Sequence, residues 1–170
     1  MTSVPGFQVY MNKSRKNSRR GGIMMLIKCA LVPFITQVNM SIEGQIWVKL
    51  SCCAEVWFGG VYIPPDDSPY HDPALLGALE GQVKDCDRVI VLGDLNARVG
   101  VPVNRNIEGK RFEYMNVKDD TVNSMGRALM NVCLENKMLI ANHLKWDQTH
   151  LGGDLSFKRS QWISEIDLCR

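Results

Sequence analysis

The sequence has no stretch near the ~20 uninterrupted apolar residues that a membrane helix needs. Its longest apolar runs, residues 23–27 and 29–35, are interrupted by Lys28 and Pro33, so no membrane association is expected. Charge of one sign is not in excess either. The 20 Lys and Arg against 18 Asp and Glu leave a formal net charge of +2, and bulk charge names no partner. The six cysteines are Cys29, Cys52, Cys53, Cys86, Cys133 and Cys169. No two of them form a C-x-x-C pair, and none of the three histidines stands at zinc-finger spacing from them. Most lie among apolar neighbours and read as small buried thiols of an intracellular protein. The first ten residues lack the basic-then-apolar pattern of a secretory signal. Internal repeats, low-complexity tracts and linkers are missing too. The 170 residues, 45% apolar, therefore suit one globular domain.

Acidic residues are absent from the first 42 positions, which carry Lys13, Arg15, Lys16, Arg19, Arg20 and Lys28; the first acid is Glu43. A basic segment ahead of an acidic body suits a polyanion such as nucleic acid. A solvated charge run and a nuclear localisation signal are the alternatives. Residues 1–20 read as polar and poorly ordered, with an extended piece near residues 7–10.

Strands are expected at residues 23–27, 45–50 and 55–63. In the second, Ile46, Val48 and Leu50 share a face; the third ends at Pro64-Pro65, which force a loop. Asp72-Pro73 starts a helix, an acidic cap followed by proline in the first turn. Leu75, Leu76, Leu79 and Val83 lie on its apolar face, and it ends near Asp85. Residues 88–92, Arg-Val-Ile-Val-Leu, suit a strand buried on both faces. Residues 100–122 read as a long loop. Asn123 or Ser124 caps a second helix with apolar positions at Leu129, Met130, Val132, Cys133 and Leu134. Residues 138–141 and 163–169 read as two more strands. Trp47, Trp57, Met24 and Met25 read as core, and Trp146 and Trp162 as either base-stacking or partly buried. His71, His143 and His150 read as loop or surface residues. Strands interspersed with two helices imply a layered α/β domain with a mixed sheet or two sheets.

The most informative stretch is Gly93-Asp94-Leu95-Asn96. On an extended chain Asp94 and Asn96 project to one side while Leu95 points into the core. A carboxylate and an amide at the end of a buried strand can orient water and donate to a phosphate oxygen. The plain alternative is an Asx-turn at a strand end.

Further blocks accompany it: Arg20-Gly21-Gly22-Ile23, Gly60-Val61-Tyr62-Ile63-Pro64-Pro65, and Leu92-Gly93-Asp94-Leu95-Asn96-Ala97-Arg98-Val99-Gly100. Then follow Asn123-Ser124 with Gly126, Leu139-Ile140-Ala141-Asn142, and Ser164-Glu165-Ile166-Asp167. In this order and spacing the chain resembles the endonuclease/exonuclease/phosphatase superfamily, most closely the endonuclease domain of non-LTR retrotransposon proteins. The resemblance implies an α/β (α+β) fold: a four-layer β-sandwich flanked by helices. It implies phosphodiester hydrolysis on DNA assisted by a divalent ion such as Mg2+. The site it implies has Asp94 positioning or deprotonating water, Asn96 holding the scissile phosphate and steadying Asp94, and Tyr62 reaching the phosphate. Asp167 would orient a catalytic His further along. Ser164 and Arg98 would line the substrate cleft.

The chain departs from that pattern at both ends. The resemblance calls for an Asn and a metal-binding Glu on strands before Gly21, yet only about 20 residues precede it. Asn12 and Asn17 sit in the basic run. The family's terminal Ser-Asp-His is not found before Arg170. Pro65 and Ser156 replace residue types common in relatives. A single partial domain over residues 1–170 is therefore expected, with an incomplete sandwich, open sheet edges, exposed apolar surface and poor cleavage on its own. The resemblance further implies a nuclear rather than cytoplasmic protein and a downstream reverse transcriptase domain in the full-length relative. A small-molecule phosphoesterase relative and a non-catalytic nucleic-acid-binding remnant are the alternatives. The Arg98-Val99-Gly100 continuation and the Tyr62-Ile63-Pro64-Pro65 form favour the retrotransposon branch.

Overall fold

The computed structural model describes residues 3–13, 22–101, 106–107, 110–111, 120–142 and 161–165. The readings made for Arg20, Gly21, His143, Trp146, His150, Ser156, Asp167 and Cys169, and for most of the basic run, lie outside the described residues.

Two short strands come first, β1 (Phe7–Asn12) and β2 (Ile23–Lys28), paired antiparallel as a separate two-stranded sheet. A 3₁₀ segment (Cys29–Phe34) leads into β3 (Ile35–Asn39), β4 (Gln45–Ser51) and β5 (Glu55–Tyr62). Helix α1 (Ala74–Lys84) precedes β6 (Val89–Asp94). The two-residue strands β7 (Asn106–Ile107) and β8 (Lys110–Arg111) pair with each other. Helix α2 (Ser124–Glu135), β9 (Met138–Ile140) and β10 (Gln161–Glu165) complete the order.

The main sheet runs β3-β4-β5-β6-β10-β9. Its first three strands are antiparallel neighbours, while β5, β6, β10 and β9 run parallel. Period-two alternation divides the side chains of the central strands into two sets. On one face Trp47, Val61, Val89 and Val91 meet Leu79 and Val83 of α1 and Leu129, Val132 and Cys133 of α2. On the other, Ile46 and Val48 meet Ile23, Met25 and Ile27 of β2 and Tyr10 of β1. Helices, mixed sheet and second sheet therefore stack in layers. This is the mixed α/β architecture expected, and among the described residues the sandwich is incomplete.

Local sequence explains the joints. Gly59 leaves room for the Trp47 ring, because a Cβ there would stand 2.5 Å from Trp47 Cζ3. Gln45 is fully buried and satisfied: its Nε2 donates to Leu75 O at 3.1 Å, and its Oε1 accepts from Trp47 Nε1 at 2.9 Å. That relay ties β4 to α1, as burial of an amide requires. Asp72 Oδ1 accepts from Ala74 N at 3.0 Å, but Pro73 stands at the cap and Ala74 is the first helical residue, so α1 starts one residue later than the Asp-Pro pair predicts.

Cys29, Cys52 and Cys53 are exposed; of the cysteines described, only Cys86 and Cys133 are buried. Apolar neighbours in sequence do not bury a residue at the start of a 3₁₀ segment, as Cys29 is, or in the turn between β4 and β5, where Cys52 and Cys53 lie. Residues 88–92 are not buried on both faces. Val89 and Val91 are buried on the helix-facing side, whereas on the other face Ile90 is half-buried and Leu92 exposed, because the second sheet packs over β4 and β5. Leu134 and Met24 are exposed rather than core, each lying on the outer face of its element. Asn12 belongs to a strand, not merely to the basic run: β1 extends beyond residue 10. Asn12 Nδ2 lies within 3.2 Å of the carbonyls of Met40, Ile42 and Gln45 and anchors the second sheet to the first. The last strand starts at Gln161 rather than at residue 163, and residues 166–169 lie outside the described residues. Among the described residues no helix is long and apolar enough to cross a membrane.

Candidate functional site

The parallel strands β5 and β6 end side by side. Tyr62 and Asp94, their last residues, are register partners. On the other flank of β6, β10 pairs Ser164 with Leu92 and Glu165 with Gly93. The carboxyl ends of three parallel strands thus form one edge, the usual place for chemistry in an open α/β sheet. Ser164 is brought there by strand register. Asp167, two residues beyond Glu165, lies outside the described residues.

The Gly93–Asn96 stretch owes its shape to two positive-φ positions. Gly93 has φ +148°, and a Cβ there would overlap the Val61 carbonyl oxygen. Asn96 has φ +50°, in the left-handed region that Asn tolerates better than most residues. Between them Leu95 is buried in the core, as its position predicts. The chain therefore leaves the sheet at Asp94 and turns. Strand alternation is not what brings Asp94 and Asn96 together.

What joins them is an Asx-turn. Asn96 N donates to Asp94 Oδ1 at 3.0 Å. Asn96 Nδ2 donates to Ile63 O at 2.9 Å, and Ile63 N donates to Asp94 O at 2.9 Å. These bonds stitch the loop after β5 to the turn after β6. The turn and the chemical reading are compatible: Asn96 steadies Asp94 through its main chain, and an amide NH2 bonded once retains a second donor hydrogen. Asp94 is exposed, while Tyr62 and Asn96 are half-buried. Arg98 is exposed at the same rim, and its N–H donates to Asn123 Oδ1 at 3.0 Å.

The loop after β5 adds residues not singled out for the site. Ser124 Oγ donates to Asp66 Oδ2. His71 Nδ1 lies 3.2 Å from Pro64 O and 3.8 Å from Asp66 Oδ1. His71 is a loop residue, as read, but mostly shielded, with its side chain 19% exposed. Asn123 reaches from the start of α2 to Asn96 O, its Nδ2 donating at 3.0 Å. The capping pattern marks Asn123 in the sequence, whereas nothing local signals a contact 27 residues away.

Among the described residues no three His, Cys, Asp or Glu side chains converge to hold a metal ion. Mg2+ is held by one or two carboxylates completed by water and phosphate oxygens. Asp94 contributes one carboxylate, with one oxygen already accepting from Asn96. The described residues by themselves do not make a metal centre, and no chemical step is assigned through one. Comparison of the chain with protein-family models, curated proteins and solved structures gives no match.

Proposed function

We propose that the edge formed by Tyr62, Asp94 and Asn96 handles a phosphodiester of DNA, as in the retrotransposon endonuclease domains that the sequence resembles. The observation that carries this reading is the register pairing of Tyr62 with Asp94, with Asn96 bonded both to Asp94 and to the residue after Tyr62. On this reading the Asp94 carboxylate works beside two neutral donors. The Asp94 oxygen not engaged by Asn96 accepts from an attacking water and orients it. The Tyr62 hydroxyl and the second Asn96 amide hydrogen donate to non-bridging phosphate oxygens, where charge gathers in the transition state. Arg98 supplies positive charge at the rim. A divalent ion such as Mg2+ belongs to the family expectation.

A second reading, a nucleic-acid-binding domain without catalysis, is favoured by the basic segment that carries Lys13, Arg15, Lys16, Arg19 and Arg20. Single-turnover nicking of supercoiled plasmid in Mg2+, with protein in excess, separates the two when run beside a duplex-binding titration. The first reading expects slow nicking that is lost in Asp94→Ala. Binding through phosphates should weaken with salt at a log–log slope of roughly −0.9 per contact. Nicking that survives Asp94→Ala overturns the assignment of the site. Salt-dependent binding without nicking supports the binding module. Hydrolysis of a small phosphoester with no DNA binding overturns both in favour of a small-molecule phosphoesterase.

A further inference from the structure

Asn123 touches the Asp94 turn more extensively than a helix cap needs to. As a cap its Oδ1 accepts from Gly126 N at 2.7 Å. The same oxygen accepts from Arg98 N at 3.0 Å, its main-chain N donates to Arg98 O at 3.1 Å, and its Nδ2 donates to Asn96 O at 3.0 Å. One side chain thus bonds both ends of the Asn96–Arg98 segment. Asn96 in turn donates its N–H to Asp94 and its amide to Ile63 O. The chain of contacts runs from the start of α2, through Asn96 held at φ +50°, to the Asp94 carboxylate. Gly126 permits it, because a Cβ there would overlap the Arg98 carbonyl oxygen and stand 3.1 Å from Asn123 Oδ1.

We propose that Asn123 is a positioning residue: it fixes the Asn96 main chain so that the Asn96 N–H holds Asp94 in its working orientation. The proposal deepens the phosphodiester reading of this edge and rests on it. The physical basis is that capping and positioning use different atoms. Capping needs an acceptor oxygen, which Asp supplies as well as Asn. Fixing Asn96 needs a donor aimed at its carbonyl, which only the amide supplies.

Asn123→Asp separates the two roles, with Asn123→Ala as the variant that loses both. In Asn123→Asp the helical circular dichroism is expected to stay near wild type, and the melting temperature to fall by no more than the loss of one hydrogen bond and by less than in Asn123→Ala. Amide hydrogen exchange is expected to accelerate about five- to tenfold at Asn96, the worth of one hydrogen bond, while Arg98 and Gly126 stay protected. Single-turnover nicking is expected to fall by a similar factor, with duplex affinity little changed. In Asn123→Ala exchange accelerates at all three amides. Unchanged exchange at Asn96 in Asn123→Asp overturns the proposal and leaves Asn123 a cap. Nicking lost in Asp94→Ala but unaffected in Asn123→Asp also overturns it, while the site itself stands. Nicking indifferent to Asp94→Ala overturns the reading of the site instead, and the exchange data still decide whether Asn123 holds Asn96.

Discussion

The main chain of Arg98 lies against Gly126 so closely that no side chain fits between them. Gly126 sits in the first turn of α2 and is buried. Replacing an exposed helical glycine by alanine commonly stabilises by roughly 0.5–1 kcal/mol. Here the sign reverses. Gly126→Ala must push the Arg98 carbonyl off the helix start and is expected to cost on the order of 2 kcal/mol, the range of overpacked sites. Gly77 and Gly81 of α1 have open space around the position of a Cβ, so alanine at either is expected to stabilise. Urea unfolding of the three variants measures the contrast.

Asn96 combines a left-handed backbone with a side-chain bond to Ile63 O. Asn96→Ala is expected to lose both, roughly 1–2 kcal/mol for the backbone and about 1 kcal/mol for the hydrogen bond. Asn96→Gly keeps the backbone at ease and is expected to cost only about the latter. Equal costs for the two variants, read from denaturant midpoints, would show that φ at this position is unstrained.

Burial pushes the Cys133 thiol up to about 12 and the Cys86 thiol up to about 11, from an ordinary value of 9.0. A thiol whose ionisation is held back in the fold contributes stability that is fully present below its unfolded pKa. Above about pH 9 the unfolded chain releases those protons while the folded chain keeps them, so stability falls as pH rises towards the folded values. Unfolding midpoints are expected to drop between pH 9 and pH 11. Replacing Cys133 by Ala, which removes the ionisable group, is expected to flatten that slope. In the native protein at pH 8 a thiol reagent is expected to modify Cys29, Cys52 and Cys53 rapidly and to leave Cys86 and Cys133 unmodified. Peptide mass spectrometry reads the difference.

The outer face of the β1–β2 sheet presents Phe7, Met11, Met24 and Leu26, each exposed. By register Met11 pairs with Met24 and Val9 with Leu26, and Phe7 lies on the same face of β1 as Val9. Such a contiguous apolar patch on a two-stranded sheet favours self-association. Met24→Lys combined with Leu26→Thr is expected to shift sedimentation towards the monomer. Unfolding free energy should stay within roughly 1 kcal/mol, since each is a surface substitution. Unaltered self-association in the double variant would place the contact elsewhere.

Much of this protein is legible along the chain. Alternating apolar residues mark β4, the Asp-Pro pair marks the start of α1, and Asn123 marks the start of α2. Each is a local rule acting over a few residues. Gly93 and Asn96 are readable too, as residues that tolerate positive φ, and Leu95 between them is buried as its place predicts. What could not be read is which apolar positions find a cover. Val91 and Leu92 are adjacent and chemically alike, yet one is sealed by helices and the other exposed, because that depends on where a second sheet lies. Cys29, Cys52 and Cys53 mislead for the same reason. The site follows the same division. Local residue types set an acidic side chain at the end of β6 and an amide two positions on, since chain stiffness and side-chain type act over a few residues. That Tyr62 stands beside Asp94 and that Asn123 grips Asn96 follows from long-range packing. Strand register and helix docking join residues about 30 positions apart, and they are set by the packing of the whole core.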